Sequence, residues 1–310
     1  MATVLLTGAG GFVVRHVAAV LAERGARVIL VDRWFDPDVV AAWRSRDAAL
    51  LTCDAAALAH HVDEPVDAVV HGAAVTAEPA ELGWSPEAYL QAELNAALAV
   101  WRWADTAGVG RRVFISSAGV FAGDEAAELD EAVAPRPRGH YGLAKHLIER
   151  VVSALREFDG RDACSLRLGD VFGPAERART TRPRVSLLQA MLDAARQGAT
   201  VQAHVPSAAR TWSYAPDIGA ALHTLLQAPR LRHALYHVSS PERFDEQGLA
   251  TELVALVPGA RFRTVAADPA HVRARGLFAT PRFDAEFALH RWTPFRTALE
   301  AVVAQAGVTA

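Results

Sequence analysis

The 310-residue chain holds 32 basic residues, and 31 of them are arginine; Lys145 is its one lysine and Asn95 its one asparagine. That skew, with abundant alanine, fits drift toward GC-rich codons. Under such drift, lysine and asparagine persist mainly where arginine, aspartate or serine cannot replace them. Cysteine is scarce too. Cys53 and Cys164 are far apart with no CxxC or Cys/His spacing, which excludes a disulfide scaffold and leaves small apolar packing residues in a reducing cytoplasm. No excess of one charge exists: the net charge is -3 and the basic residues are scattered, which excludes the footprint of a nucleic-acid binder. No apolar run is long enough to span a bilayer. The N-terminal run has no basic region before it and enters a glycine turn after six residues, too short for a signal sequence. The expectation is a cytoplasmic protein with neither membrane nor nucleic acid as partner. The twelve histidines contain no HExxH, and His60-His61 has no third ligand in view, so no metal is expected.

What is present suits a packed core, with 51% hydrophobic and 22% charged residues. Short apolar runs alternate with helical patterns. Val4 to Leu6, Arg27 to Val31, Ala49 to Thr52, Ala68 to His71, Arg112 to Ser116 and Ala163 to Leu168 read as strands, separated by helices over Phe12 to Arg24, Pro86 to Ala107 and Gly139 to Phe158. Near-continuous apolar strands between helices predict an α/β fold, a doubly wound parallel sheet covered on both faces. After Gly173-Pro174 the pattern changes to an arginine-rich stretch. Helices follow near Ser186 to Gln197, Pro216 to Gln227 and Phe244 to Leu256, with strands near Val201 and Leu235. The expected organisation is a dinucleotide-binding Rossmann domain over 1–172, with 211–240 interleaved, and a smaller C-terminal substrate-binding lobe over 173–310.

Thr7-Gly8-Ala9-Gly10-Gly11-Phe12 lies between the first strand and helix, where backbone N–H groups can approach a pyrophosphate at the helix N-terminus. Asp32 ends the next strand, placed to accept hydrogen bonds from the ribose hydroxyls of NAD. Arg33 directly follows and can accommodate a 2'-phosphate, which keeps NADP as the alternative cofactor. The glycine spacing calls for a third glycine at position 14. The residue is Val14, whose side chain is expected to push the helix off the sheet and weaken dinucleotide binding.

Tyr141 and Lys145 are four apart in a helical segment and share one face. An ammonium beside a phenol favours the phenolate, which suits a tyrosine acid/base. Arginine cannot become neutral and has a bulkier fork, which accounts for the survival of lysine here alone. Phe114-Ile115-Ser116-Ser117-Ala118-Gly119-Val120-Phe121 puts a serine pair at a strand end, where active sites of open parallel sheets lie.

With these motifs the chain resembles the extended short-chain dehydrogenase/reductase family, the NAD-dependent epimerase/dehydratase group. Arg210 to Ile218 and Trp292-Thr293-Pro294 with Leu299-Glu300 are similar to its later motifs, so the likeness runs over nearly the whole chain. The resemblance implies that Ser117 polarises the reacting carbonyl, Tyr141 exchanges the proton and Lys145 holds the nicotinamide ribose. It assigns Asn95 to a water leading to Lys145, Asp54 to adenine, and His71-Gly72-Ala73-Ala74 to the adenosine. It also implies a homodimer, through the helices carrying Asn95 and Lys145. Val14, Phe121 and Asp170 depart from the family pattern.

The Ser117-Ala118-Gly119 segment lacks the Asp-Glu pair of the family's dehydratases and the glutamate of its decarboxylases, which leaves hydride transfer without elimination. Asp170 near a substrate pyrophosphate would repel it unless paired, which turns the reading away from nucleotide sugars. Arg179 and Arg210 are candidates, with Ser117, Tyr141 and Asp170, for binding a polar, anionic or sugar-like small molecule. Three readings follow: a dehydrogenase or ketoreductase, a nucleotide-sugar 4-epimerase with tightly held NAD, and a dinucleotide sensor without catalysis, motivated by Val14.

Overall fold

A computed structural model describes residues 2–44, 46, 48–268 and 276–305. Its first unit is β1 (Thr3–Thr7), α1 (Phe12–Glu23) and β2 (Arg27–Asp32), where the expected apolar runs lie. A short helix α2 (Pro37–Trp43), opened by proline, leads to β3 (Ala48–Thr52) and β4 (Ala68–His71). α3 (Pro86–Thr106) starts where the Ser85 hydroxyl accepts from Ala88 N and proline fills the first turn, where no N–H partner is needed. β5 (Arg111–Ser117), the two-residue β6 (Glu128–Leu129), α4 (His140–Glu157) and β7 (Asp162–Leu168) complete the first half.

The second half holds β8 (Asp170–Phe172), α5 (Leu187–Arg196), β9 (Val201–Val205), β10 (Arg210–Tyr214), α6 (Ala215–Gln227) and β11 (Leu235–Val238). β12 (Arg243–Phe244), α7 (Glu246–Leu256), β13 (Phe262–Ala266), β14 (Leu277–Phe278), α8 (Pro281–Glu286) and α9 (Phe295–Gln305) follow. The expected helix over Phe244 to Leu256 begins instead at Glu246, where the Asp245 carboxylate caps it by accepting from Gly248 N, and Phe244 is the last residue of a strand. α2 and the short strands of the lobe other than β9 were not expected, because their apolar runs are too brief to show a period.

Seven strands form one parallel sheet in the order β11-β7-β5-β4-β1-β2-β3. The chain leaves β1 in one direction for β2 and β3, then returns to its other side for β4, β5 and β7, so a crevice opens beyond the C-terminal ends of β1 and β4. α1 and α6 cover one face, over a core containing Val17, Leu21, Ile218 and Leu222. α3 and α4 cover the other, with Val100, Trp101, Ile148 and Val152 buried. Residues 215–238 therefore belong to the main sheet layer. β10 instead pairs with β8 and β12 in a small sheet of the lobe, whose core holds Leu188, Trp212, Leu253 and Phe295. No described helix is long and apolar enough to cross a membrane.

Val14 does not push α1 away. It is buried beside the sheet, with its Cγ2 2.4 Å from where a Cβ on Gly72 would stand. The clearance that a glycine at position 14 would give from the helix side is given by Gly72 from the β4 side. Gly72→Ala is expected to destabilise the fold by about 1–3 kcal/mol through overpacking, and adding Val14→Ala to recover part of that loss; urea denaturation of both variants and the double variant checks it.

Candidate active site

Gly8 adopts φ +75°, and a Cβ there would lie 2.5 Å from Ala73 N, so the turn after β1 is seated on the backbone after β4. Gly11 N donates to Gly8 O at 2.9 Å and closes the turn. Asp32 reaches across from β2: its Oδ2 accepts from Gly10 N at 2.9 Å and its Oδ1 from Arg33 N at 2.7 Å. Phe12 is buried just after the turn, and Arg33 is exposed at the rim. Asp54 caps the turn of helix after β3, accepting from Ala56 N at 3.0 Å. Gly8, Gly11, Phe12, Asp32, Arg33 and Asp54 line a cleft of about 840 Å³, and Ser117, Tyr141 and Lys145 line the same cleft.

The Ser117 end of the cleft is assembled by a close approach of two backbones. A Cβ on Gly142 would stand 2.2 Å from Gly119 O, so α4 begins directly on the turn that follows β5. That contact lays the Tyr141 ring against Gly119, whose hypothetical Cβ is 3.2 Å from Tyr141 Cε1, and lets the Ser117 and Tyr141 hydroxyls hydrogen-bond. Ser117 Oγ also accepts from Gly119 N at 3.0 Å. Lys145 is 2% exposed; its Nζ donates to Ile115 O at 2.8 Å and lies 4.7 Å from the Phe114 ring centroid and 5.7 Å from that of Tyr141. Burial brings the ammonium down to about 8, while Glu93 and Glu149 pull it upward. The Tyr141 phenol does not fall as expected. It stands above its ordinary value because burial outweighs the Ser117 hydrogen bond, with Glu93 raising it further and Arg182 lowering it. Lys145 points at a carbonyl rather than at the phenol oxygen, which removes the expected effect. His71, buried beneath the site against Phe114 and Trp101, shares a 2.7 Å hydrogen bond with the Thr7 hydroxyl and is held neutral, its pKa pressed down to about 3 by burial and by Lys145.

Two expectations move. Asn95 borders the cleft from the exposed side of α3, and Glu93, two residues earlier and on the opposite side of the helix, is the α3 side chain buried near Lys145. The signal was in the sequence: Tyr89, Glu93, Ala97 and Val100 share the buried stripe of α3, and one of them is acidic. Arg179 lines the same cleft beside the glycine turn. It pairs with Asp36, lies over Trp34, and its Nη1 is 3.4 Å from where a Cβ on Gly10 would be.

The rest of the arginine loop, 174–184, behaves alike. Arg177 pairs with Asp36 and Asp38, Arg182 with Glu176, and Arg184 with Glu81. Thr181 O accepts from Thr76 N at 2.8 Å, and the Arg15 guanidinium donates to Ala175 O. The loop is a strap from the lobe across the glycine turn. Arg210 remains on the lobe side, 3.2 Å from Asp170 and over Trp212, so the aspartate has a counter-charge.

The sequence profile of the NAD dependent epimerase/dehydratase family matches residues 4–238. The chain belongs to that family. No match was found among curated proteins. Solved structures similar to this enzyme include a UDP-glucose-4-epimerase from Stenotrophomonas maltophila with bound NAD and formylated UDP-arabinopyranose, at 19% identity and TM-score 0.84, covering 100% of this chain and 99% of that one. A UDP-N-acetylglucosamine 4-epimerase from Methanobrevibacter ruminantium M1 is 17% identical at TM-score 0.83, with the same coverage. A dTDP-glucose 4,6-dehydratase from Streptomyces venezuelae with NAD is 21% identical at TM-score 0.81, covering 99% of this chain and 97% of that one. These likenesses establish the shared fold, a Rossmann sheet with a C-terminal lobe.

NAD is the family's cofactor, and the residues present fit it. The turn at Gly8 and Gly10 leaves no room for side chains, and the Asp32 carboxylate stands at the cleft wall. Asp32→Ser is expected to weaken NAD binding by about 1–3 kcal/mol, the cost of lost charge-assisted hydrogen bonds, and NADP binding by less; calorimetric titration of both cofactors checks it.

Proposed function

We propose that the protein moves a hydride between NAD and a carbonyl or secondary-alcohol carbon of a polar, sugar-like small molecule, with Tyr141 as acid/base. The observation that carries this is the assembly of Ser117, Tyr141 and Lys145 in the same cleft that Gly8 and Asp32 line. NAD, when bound, supplies the hydride acceptor and donor. Ser117 offers its hydroxyl to the substrate oxygen, next to the phenol that gives or takes the proton. Because the Tyr141 phenol is raised, it is protonated near neutrality and is set to act as the acid when a carbonyl is reduced. Lys145 brings positive charge and N–H donors to the ribose side. Asp170, which lines the cleft and is paired by Arg210 behind it, would meet the substrate from the lobe side. The active form in this reading is a homodimer joined through α3 and α4, where Leu98 is exposed.

The sensor reading loses its ground, since Gly72 makes room for Val14. A specific observation favours the 4-epimerase form. The strap ties the lobe across the glycine turn through Arg177 and Arg179 to Asp36, which hinders exchange of a bound dinucleotide. The Arg210 pairing of Asp170 also removes the repulsion that argued against nucleotide sugars. Denaturing the purified protein and assaying released cofactor separates the two forms: stoichiometric NAD supports the epimerase, and freely exchanging NAD the dehydrogenase. In either form Tyr141→Phe is expected to lower kcat about a hundredfold to ten-thousandfold with NAD binding retained, read by steady-state kinetics and cofactor titration; an unchanged kcat overturns the role of Tyr141.

A further inference from the structure

An ammonium with no counter-charge in a dry site loses its proton rather than stay charged. Lys145 sits in such a site, and its Nζ donates to a neutral carbonyl, Ile115 O. Two carboxyl groups act on it, Glu149 on its own helix and Glu93 on α3. Glu149 is already matched. Arg167 holds both its oxygens, at 2.8 Å and 2.7 Å, and Ser116 Oγ and His146 Nδ1 lie 2.5 Å and 3.3 Å away. Glu93 is 7% exposed, and its Oε1 accepts only from a neutral backbone group, Val75 N, at 3.0 Å. Burial raises the Glu93 carboxyl above its ordinary value, while Lys145, the Val75 N–H and Arg33 pull it down and favour its charged form.

The other groups facing this seam do not supply the missing charge. His71 on β4 is neutral, and the Tyr89 hydroxyl on α3 donates to Val75 O at 2.5 Å and stays protonated because burial raises it. Tyr141 on α4 is raised as well, and Arg33, after β2, acts on Glu93 from the exposed rim.

We propose that Glu93 is a positioning residue of the acid/base machinery, the carboxylate whose charge keeps Lys145 an ammonium in the cleft that both side chains line. This rests on the reading of Tyr141 and Lys145 as the working pair, and assigns the α3 contribution to a charged group. Glu93 contributes an upward pull on a lysine that burial has brought to about 8. Removing its charge therefore carries Lys145 further down, so that it loses its proton in the neutral range. Where the protein is active, the ammonium-dependent limb of the pH profile moves to lower pH with it.

A single lysine makes the test direct. Protein produced with 13Cε-labelled lysine, carrying no lysine-containing tag, gives one side-chain resonance to follow from about pH 5 to about pH 11. The wild-type midpoint is expected at about 8, and in Glu93→Gln, which retains an oxygen for Val75 N, about one unit lower or more. Glu87→Gln, exposed on the same helix, leaves the midpoint in place. An unshifted midpoint in Glu93→Gln overturns the proposal. The titrations are taken without substrate. A shifted lysine in a protein that lacks hydride-transfer activity would count against the proposed function and leave the Glu93–Lys145 coupling standing.

Discussion

One buried charge sets the terms for the centre of this molecule. Lys145 lies where α3, α4 and β5 meet, and a lysine ammonium is tolerated there only if carbonyl, aromatic face and carboxylate surround it. Ile115 O and the Phe114 ring come from β5, Glu93 from α3 and Glu149 from α4. Glu149 in turn needs Arg167 on β7, and Arg167 Nη1 reaches His237 on β11 at 3.2 Å. A chain of polar groups thus runs from Lys145 through the sheet to the strand that arrives last in sequence. Packing and electrostatics are coupled here, because each polar group is satisfied only while its neighbours stay in register.

Close approach is managed by placing the small residue on whichever partner can yield. Gly72 clears a space for Val14, and Gly142 with Gly119 lets α4 begin against the turn after β5. The first contact keeps α1 on the sheet, and the second brings a phenol next to Ser117. A motif that counts glycines along one segment sees only half of each such pair, since the clearance depends on two surfaces separated by tens of residues.

The arginines show the same dependence on partners. Arg177, Arg179, Arg182, Arg184 and Arg210 all face carboxylates of this chain. Arg177, Arg179 and Arg184 thereby hold the strap to the sheet domain, Arg182 braces the strap through Glu176, and Arg210 pairs within the small sheet of the lobe. An arginine cluster in a sequence gives the sign of a surface, and the acidic residues that fold against it decide what that sign is used for.

The α/β class, the strands from β1 to β5, the glycine turn and the helix segment that carries Tyr141 and Lys145 were legible in the sequence. Each is a local matter: strand alternation with helices, a glycine that must adopt positive φ, and a helical spacing of four are written within a few residues. Tertiary structure alone decided the rest. It turned Glu93 rather than Asn95 toward the lysine, because the buried face of α3 depends on what packs against it. It raised the Tyr141 phenol, because burial is a property of the folded surroundings. It placed Arg179 with Asp36 beside the glycine turn and joined Arg210 to Asp170, because charges distant in sequence find partners only once the strands and loops that carry them are packed together.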